Sequence, residues 1–570
     1  MSWLPPHTGA RKQPPSGPRL AGGSRGTAGL AAGAEGTQPA AGVGVSLLST
    51  AWPRRHWPTP WGVTVILATV LALALRLLIL TRPGMLTDVT EYDDGVYLGA
   101  AIRLTQGVLP YRDFAFVQPP GILLLMTPVA LAGRIFSTAA AMGIARVLTV
   151  CASAACVPLA GNLMRYRGIV ATALTCGFLA VYPDGVFTAR TVLLEPWMNV
   201  CCLIAANAAF SRGRLASPGR LAWAGIALGF AGTVKFWAAA PAVALLAMCL
   251  ITRRQQPGRI RAYLAGLVAG FCIPIAPFVL AAPGAFVRGT LLYQASRVGA
   301  HVPMALRLAH VTGLDAVLNT EGRLALASSG NSLALGVAAP APGAAVGWLP
   351  FVAIGALVAV LGIGYSWNGR RPSQLEWCAL AVTALATAAI LGYSAFFYHY
   401  SEFVAPWLAL ALGGASACLP DRASIRRTAV AVIAAAVLGA AAIQVHALAP
   451  LSTPGGAQLG RMIPPHACVV TDEISLLVSA DRFEIPPGCP DVIDSLATTL
   501  MLSHGVSMQG GAGRMVSVAD AWRSILDRAR YVWLSPGSAR RIPVDAWFRE
   551  DFAPVSGYVP GIGQLFERRG

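Results

Sequence analysis

The chain has 570 residues, 55% of them hydrophobic and only 12% charged, with a mean hydropathy of +0.60. Soluble domains carry about 25% charged residues, so this balance excludes an ordinary soluble protein and indicates a polytopic membrane protein. The net charge of +18 does not indicate nucleic-acid binding, because much of the arginine sits in short clusters between apolar runs, as in cytoplasmic loops.

Residues 1–58 are rich in Pro, Gly, Ala and Arg and hold almost no large apolar residue before Leu47. Such a segment cannot bury a core, and we read it as a disordered cytoplasmic tail. Trp61 to Leu80 is the first span, a signal anchor with its N-terminus inside. The first outer loop, 82–141, follows. Within it the apolar run Gly121 to Leu131 falls short of the roughly 17–25 residues that a span needs, which makes it interfacial or re-entrant.

If that run does not cross, the later loops sort by charge sign. The second to seventh spans are then Met142–Leu163, Ile169–Val181, Leu194–Phe210, Leu221–Val234, Phe236–Ile251 and Tyr263–Leu280. A long outer loop from Ala281 to about Ala345 separates these from Trp348–Tyr365, Trp377–Leu391, Phe403–Cys418 and Ala429–Val445. The expected fold is thus an α-helical membrane bundle of about 11 spans, covering residues 59–449. From about Pro450 the composition becomes soluble, and residues 450–570 form a small extracytoplasmic α/β domain on this reading. Ala467–Thr471 and Tyr531–Leu534 read as strands and Val518–Ala529 as a helix capped by Ser517. Asp472 and Asp551 are loop carboxylates with no partner signal. Nine of the eleven cysteines lie within or beside apolar runs; Cys468 and Cys489 lie in the polar tail, where a disulfide and two free thiols are both open.

The residues that carry chemistry begin at Asp93-Asp94-Gly95, which precede a segment with Tyr97, Leu98, Ala101 and Ile102 at helical spacing. That pattern predicts a short helix lying on the membrane and ending at Gly107, with a carboxylate at or near its N-cap. There the carboxylate can accept backbone N–H bonds, and the helix dipole favours its ionised form. It is either a general base for a hydroxyl or an ordinary helix cap. Arg76, Arg146, Glu195 and Lys235 are charges at membrane depth, all on the expected outer leaflet with Asp93, and such charges are costly enough to suggest a role. Cations beside an acid suit a lipid-phosphate leaving group; snorkelling to the interface is the alternative for each. In Phe396–Glu402 the aromatics read as an interfacial belt, with His399, Tyr400 and Glu402 as alternative substrate contacts. Arg297 is a weaker phosphate candidate, and the Asp-Asp pair could also hold a divalent cation. Walker, Rossmann and zinc motifs are missing, as is any internal repeat of the kind transporters often carry.

At these residues the chain resembles the GT-C superfamily of polyprenyl-phosphate-sugar-dependent glycosyltransferases. It is most similar to the branch of protein mannosyltransferases and aminoarabinose transferases, and to actinobacterial mannosyl- and arabinosyltransferases. The resemblance rests on Asp93-Asp94, Gly107, Pro110-Tyr111-Arg112-Asp113 and Pro119-Pro120, and approximately on Glu195 and Lys235. Asp94 stands where the protein mannosyltransferases often have Glu, and the long N-terminal tail is a further departure. The resemblance implies an inverting transferase of the plasma membrane. Its donor is a polyprenyl-phosphate sugar and its acceptor a glycan, lipid or protein. Asp93, with Asp94 and Glu195, forms the catalytic set on this reading. Arg76, Arg146, Lys235 and Arg297 hold the donor phosphate, and Tyr97, Arg190, His399, Tyr400 and Glu402 line the substrate. The competing classes are a transporter or flippase of lipid-linked sugars and a non-catalytic assembly subunit. A transporter would need acids and cations along a path through the membrane midplane, whereas here they cluster at one face.

Overall fold

The structure is a computed structural model that describes residues 59–254, 258–296, 302–314, 348–367, 371–448, 460–503, 517–535, 542–555, 557, 559 and 563–569. The tail expected over 1–58 and Arg297 lie outside the described residues.

Each expected span falls on a helix. In chain order these are α1 (Pro60–Leu80), α4 (Thr138–Met164), α5 (Ile169–Val181), α7 (Leu194–Ala209), α8 (Pro218–Val234), α9 (Ala239–Ile251) and α10 (Gly258–Ala281). Between them lie α2 (Tyr92–Thr105), α3 (Gly121–Gly133) and α6 (Pro183–Thr188). Short helices α11 (Pro283–Val287), α12 (Tyr293–Ser296) and α13 (Met304–Thr312) follow α10. The membrane part closes with α14 (Leu349–Ser366), α15 (Gln374–Gly392), α16 (Ala405–Ala415) and α17 (Ala423–Leu448). Six helices among the described residues are long and apolar enough to cross a membrane, and the chain is a multi-pass membrane protein.

The short run expected not to cross is the 13-residue α3. At 1.5 Å per residue it reaches about 20 Å, short of a hydrocarbon core of about 30 Å. Its first residue, Gly121, sits so close to α8 that a Cβ there would lie 2.4 Å from the Thr233 hydroxyl oxygen. The tenth expected span starts later than its apolar run, at Ala405, because Tyr398–Phe403 winds as a 3-10 turn. The ninth starts earlier, at Gln374, where Ser373 and Glu376 form a reciprocal capping box.

In lipid, apolar burial does not drive helices together, so close approach of small residues matters more. Helices α8 and α10 pack this way. A Cβ on Gly225 or Gly229 would lie 2.3 Å from the Tyr263 or Leu267 carbonyl oxygen, and one on Gly266 or Gly270 would meet Ala222 or Ile226 equally closely.

A hairpin pairs β1 (Phe210–Ser211) with β2 (Arg214–Leu215) beyond the C-terminus of α7. It marks the end of the bundle opposite Glu195, about 24 Å away by the rise of that helix. There Arg167 Nη2 donates to Glu376 Oε2 at 2.7 Å, and Arg259 Nη2 donates to the Leu215 carbonyl at 2.8 Å.

The C-terminal segment is a mixed four-stranded sheet in the order β3-β4-β6-β5: β3 (Val469–Thr471), β4 (Tyr531–Leu534), β6 (Gln564–Arg568) and β5 (Phe552–Pro554). β3 pairs parallel with β4, and the other pairs are antiparallel. Helices α18 (Ile474–Ser479), α19 (Ser495–Ser503), α20 (Val518–Leu526) and α21 (Ala546–Asp551) accompany it. Ser517 caps α20, its hydroxyl accepting from Asp520 N at 3.1 Å. Both loop carboxylates have partners. Asp472 is fully buried and accepts from the Ser535 amide and hydroxyl at 2.8 and 2.6 Å, and Asp551 lies 3.2 Å from Arg523. Cys468 and Cys489 form a disulfide.

Candidate functional site

Helix α2 carries three acids in its first turn and at its N-cap. Glu91 is the N-cap residue, and Asp93 and Asp94 lie in the first turn, where the positive end of the helix dipole faces them. Neither carboxylate caps the helix through a side-chain bond, contrary to the expected N-cap role. Nor does α2 lie on a membrane surface with one face free. Residues Asp94 to Ile102 are buried without a break, because the C-terminal segment covers the face that an interfacial helix would leave open.

The three acids have different fates. Asp94 is fully buried, and its Oδ2 accepts from Arg146 Nη2 at 2.6 Å, Arg146 Nε at 3.2 Å and Thr191 Oγ1 at 2.7 Å. Its other oxygen lies 3.1 Å from Ser475 Oγ. Glu91 accepts from Arg190 Nη2 at 3.0 Å; that guanidinium also donates to the Thr90 carbonyl at 3.2 Å and lies 4.3 Å above the Phe187 ring. Burial pushes the Glu91 carboxyl up to about 8, against the pull of Arg190. Asp93 is half-buried and makes no hydrogen bond or ion pair with any described residue.

Asp93 faces a narrow polar pocket. Tyr97, Gln118, Leu193, Leu194, Glu195, Lys235, Phe397, His399 and Tyr400 complete its lining. Glu195 opens α7, and its Oε1 is bound by Lys235 Nζ and lies 2.9 Å from His399 Nδ1. Lys235, at the C-cap of α8, also places its ammonium 4.2 Å from the Tyr400 ring centre and 5.2 Å from that of Trp237. The structure thus gathers Asp93, Tyr97, Glu195, Lys235, His399 and Tyr400 in one pocket, from four separate parts of the chain.

Gln118 reaches this pocket through the Pro-Tyr loop. Tyr111 has φ +68°, an uncommon conformation for a non-glycine residue. Its ring is held edge-on by Phe116 and Phe286 at 5.8 and 5.0 Å, and its hydroxyl donates to the Gln118 carbonyl. Asp113 steadies the loop by accepting from Leu109 N at 2.7 Å.

The other expected site residues lie elsewhere. Arg146 is fully enclosed and spends its donors on Asp94 and the Met85 carbonyl, so it is not presented to the pocket. Arg76 donates to Ser153 Oγ at 3.0 Å and to the carbonyls of Ala72, Ala180 and Leu179. With Glu402 and Asn199 it lines a second, internal cavity. Burial, reinforced by the Glu195 carboxylate, pushes the Glu402 carboxyl well above the usual range against the pull of Arg76. Arg190 stands behind the pocket on Glu91. The aromatic turn Phe396–Glu402 is not an exposed belt but is buried almost throughout, since α6, α7 and α13 enclose it.

The donor set does not fit a divalent cation. Among the described residues no three His, Cys, Asp or Glu side chains are grouped to hold a metal, and Asp94 and Glu195 are already occupied by cations of the chain. Sequence reading missed Glu91, Gln118, Thr191 and Ser475. Glu91 had a signal in the acidic run Glu91-Tyr92-Asp93-Asp94; Ser475, 380 residues from Gly95, had none.

No protein-family model and no curated protein sequence matches the chain. Among solved structures, the chain is similar to ArnT from Cupriavidus metallidurans bound to undecaprenyl phosphate. The two are 14% identical with a TM-score of 0.56, over 88% of this chain and 97% of that one. The apo form of the same ArnT aligns at 14% identity with a TM-score of 0.46 over the same shares. The likeness to the undecaprenyl-phosphate-bound form is one of fold across nearly the whole of both chains.

Proposed function

We propose that the chain is an inverting glycosyltransferase that moves a sugar from a polyprenyl-phosphate donor to a hydroxyl of an envelope glycan, lipid or protein. It works at the outer face of the plasma membrane, with its N-terminus cytoplasmic and its C-terminal segment extracytoplasmic. The observation that carries this reading is that Asp93 alone of the three α2 acids has no partner among the described residues, and that it faces Lys235 across one pocket.

Asp93 accepts the proton of the acceptor hydroxyl while that oxygen bonds to the anomeric carbon. The bond from that carbon to the phosphate oxygen breaks, and the lipid phosphate leaves with the electron pair. Lys235 offsets the developing negative charge. Glu195, the His399 ring and the Tyr400 face hold the ammonium in place, so little orientation is lost in the transition state. Tyr97 and Gln118 border the sugar. Arg146 and Arg76 enter as positioning residues, since their donors are engaged inside the bundle, and Asp94 fixes the turn that presents Asp93. The fold shared with a protein bound to undecaprenyl phosphate supports a lipid-phosphate donor. The arginines of Arg165–Arg167 and Arg212–Arg214 lie at the far end of the bundle, which supports the orientation.

The test supplies purified protein in lipid nanodiscs with a panel of polyprenyl-phosphate sugars and acceptor glycans, and measures donor consumption. One donor should be consumed, and Asp93→Asn should slow turnover by about 10²–10⁴-fold, the range for loss of a general base. A folded Asp93→Asn protein that turns over at the wild-type rate would overturn the assignment.

A further inference from the structure

The C-terminal segment reaches the acid turn of α2 through a loop closed by the Cys468–Cys489 disulfide, which joins residues 21 apart. Inside that loop Ser475 Oγ donates to the Glu91 carbonyl at 2.8 Å, accepts from Gly95 N at 3.2 Å and lies 3.1 Å from Asp94 Oδ1. The approach is close enough that a Cβ on Gly95 would fall 2.3 Å from that hydroxyl. Asp481, in the same loop, accepts from Thr138 N at 2.8 Å at the start of α4, the helix that brings Arg146. Just past Cys489, Asp491 accepts from Arg103 Nη2 at 2.9 Å at the far end of α2. One short stretch of chain therefore holds α2 at both ends and α4 at its entry.

We infer that this disulfide-closed loop is a clamp on the acid turn and that Ser475 is a positioning residue for Asp93 and Asp94, so that transfer depends on the redox state of the bridge. The kinetic part rests on the transferase reading; the clamp itself does not. Both cysteines are partly exposed, so an external dithiol can reach the bridge. Reduction takes two electrons and two protons from the dithiol and yields two cysteine thiols and the oxidised dithiol. The loop then loses its closure constraint, and Ser475 leaves the Asp94 turn for part of the time.

The experiment compares wild-type protein in nanodiscs, oxidised and after dithiothreitol, with Ser475→Ala and with Cys468→Ser/Cys489→Ser. Amide hydrogen exchange across Tyr92–Thr105 is read alongside donor consumption. Exchange at the N-terminal amides of α2 should rise about tenfold in the reduced protein and in both variants, the scale of losing one hydrogen bond to a charged group. The kcat should fall about tenfold with the donor KM unchanged, and the rise in exchange should be confined to α2, whereas general loosening of the fold would raise exchange throughout the bundle. Dithiothreitol should have no further effect on the double serine variant. Unchanged exchange on reduction and in Ser475→Ala would overturn the clamp, as would a change confined to KM. If the oxidised wild type consumes no donor, the transferase reading falls, and the exchange measurement alone decides the clamp.

Discussion

Replacing Arg146 by methionine should strongly destabilise the protein. The guanidinium makes three hydrogen bonds, two to Asp94 Oδ2 and one to the Met85 carbonyl, and both partners of the ion pair are fully buried. With Arg146 gone, Asp94 keeps hydroxyl partners at Thr191, Thr90 and Ser475 but no counter-charge. Breaking one side of a buried pair typically costs about 3–5 kcal/mol, because the remaining charge is stranded out of water. Asp94→Asn in the same background removes that stranded charge, so the double variant should recover about 2–4 kcal/mol of the loss. Unfolding titrations with dodecyl sulfate in mixed micelles, followed by tryptophan fluorescence, give the four corners of the cycle. Free energies that add to within about 0.5 kcal/mol would refute a coupled buried pair.

Two further changes test other parts of the argument. The Glu91 carboxyl rises to about 8 in the folded chain, so folding favours its protonated form; its contribution is full below an unfolded value of about 4.5 and is lost as pH climbs through about 8. Thermal denaturation should therefore show wild type losing stability relative to Glu91→Gln between about pH 5 and pH 8, and parallel curves over that range would contradict this. Gly229→Ala puts a methyl 2.3 Å from the Leu267 carbonyl oxygen and forces α8 away from α10, so it should cost about 1–3 kcal/mol and weaken transfer through displaced Lys235. A variant as stable and active as wild type would show that the two helices tolerate separation.

Much of the architecture was legible because it depends on local composition. Each run expected to cross lies on a helix, but length alone does not set the run from Gly121 apart, since α5 and α9 are 13-residue helices as well. Strand Tyr531–Leu534 and the Ser517 cap were readable for the same reason, since a short run of aromatic and aliphatic residues and a helix cap are both local signals. The glycine pairs of α8 and α10 were visible as letters, but their meeting across the helix interface is a property of the fold.

The sequence alone therefore established the class of fold, a helical membrane bundle followed by a small α/β segment, and a short list of charged candidates. It could not rank those residues. Asp93 and Asp94 are neighbours of the same chemical type, yet one lies open to a pocket while the other is enclosed by Arg146, Thr191 and Ser475. Likewise Arg76, Arg146 and Lys235 look alike as membrane-depth cations, and only Lys235 lines the Asp93 pocket. The reason is physical. The role of a buried charge is set by which opposite charges and hydrogen-bond donors lie within about 3–4 Å, and those partners come from segments tens to hundreds of residues away.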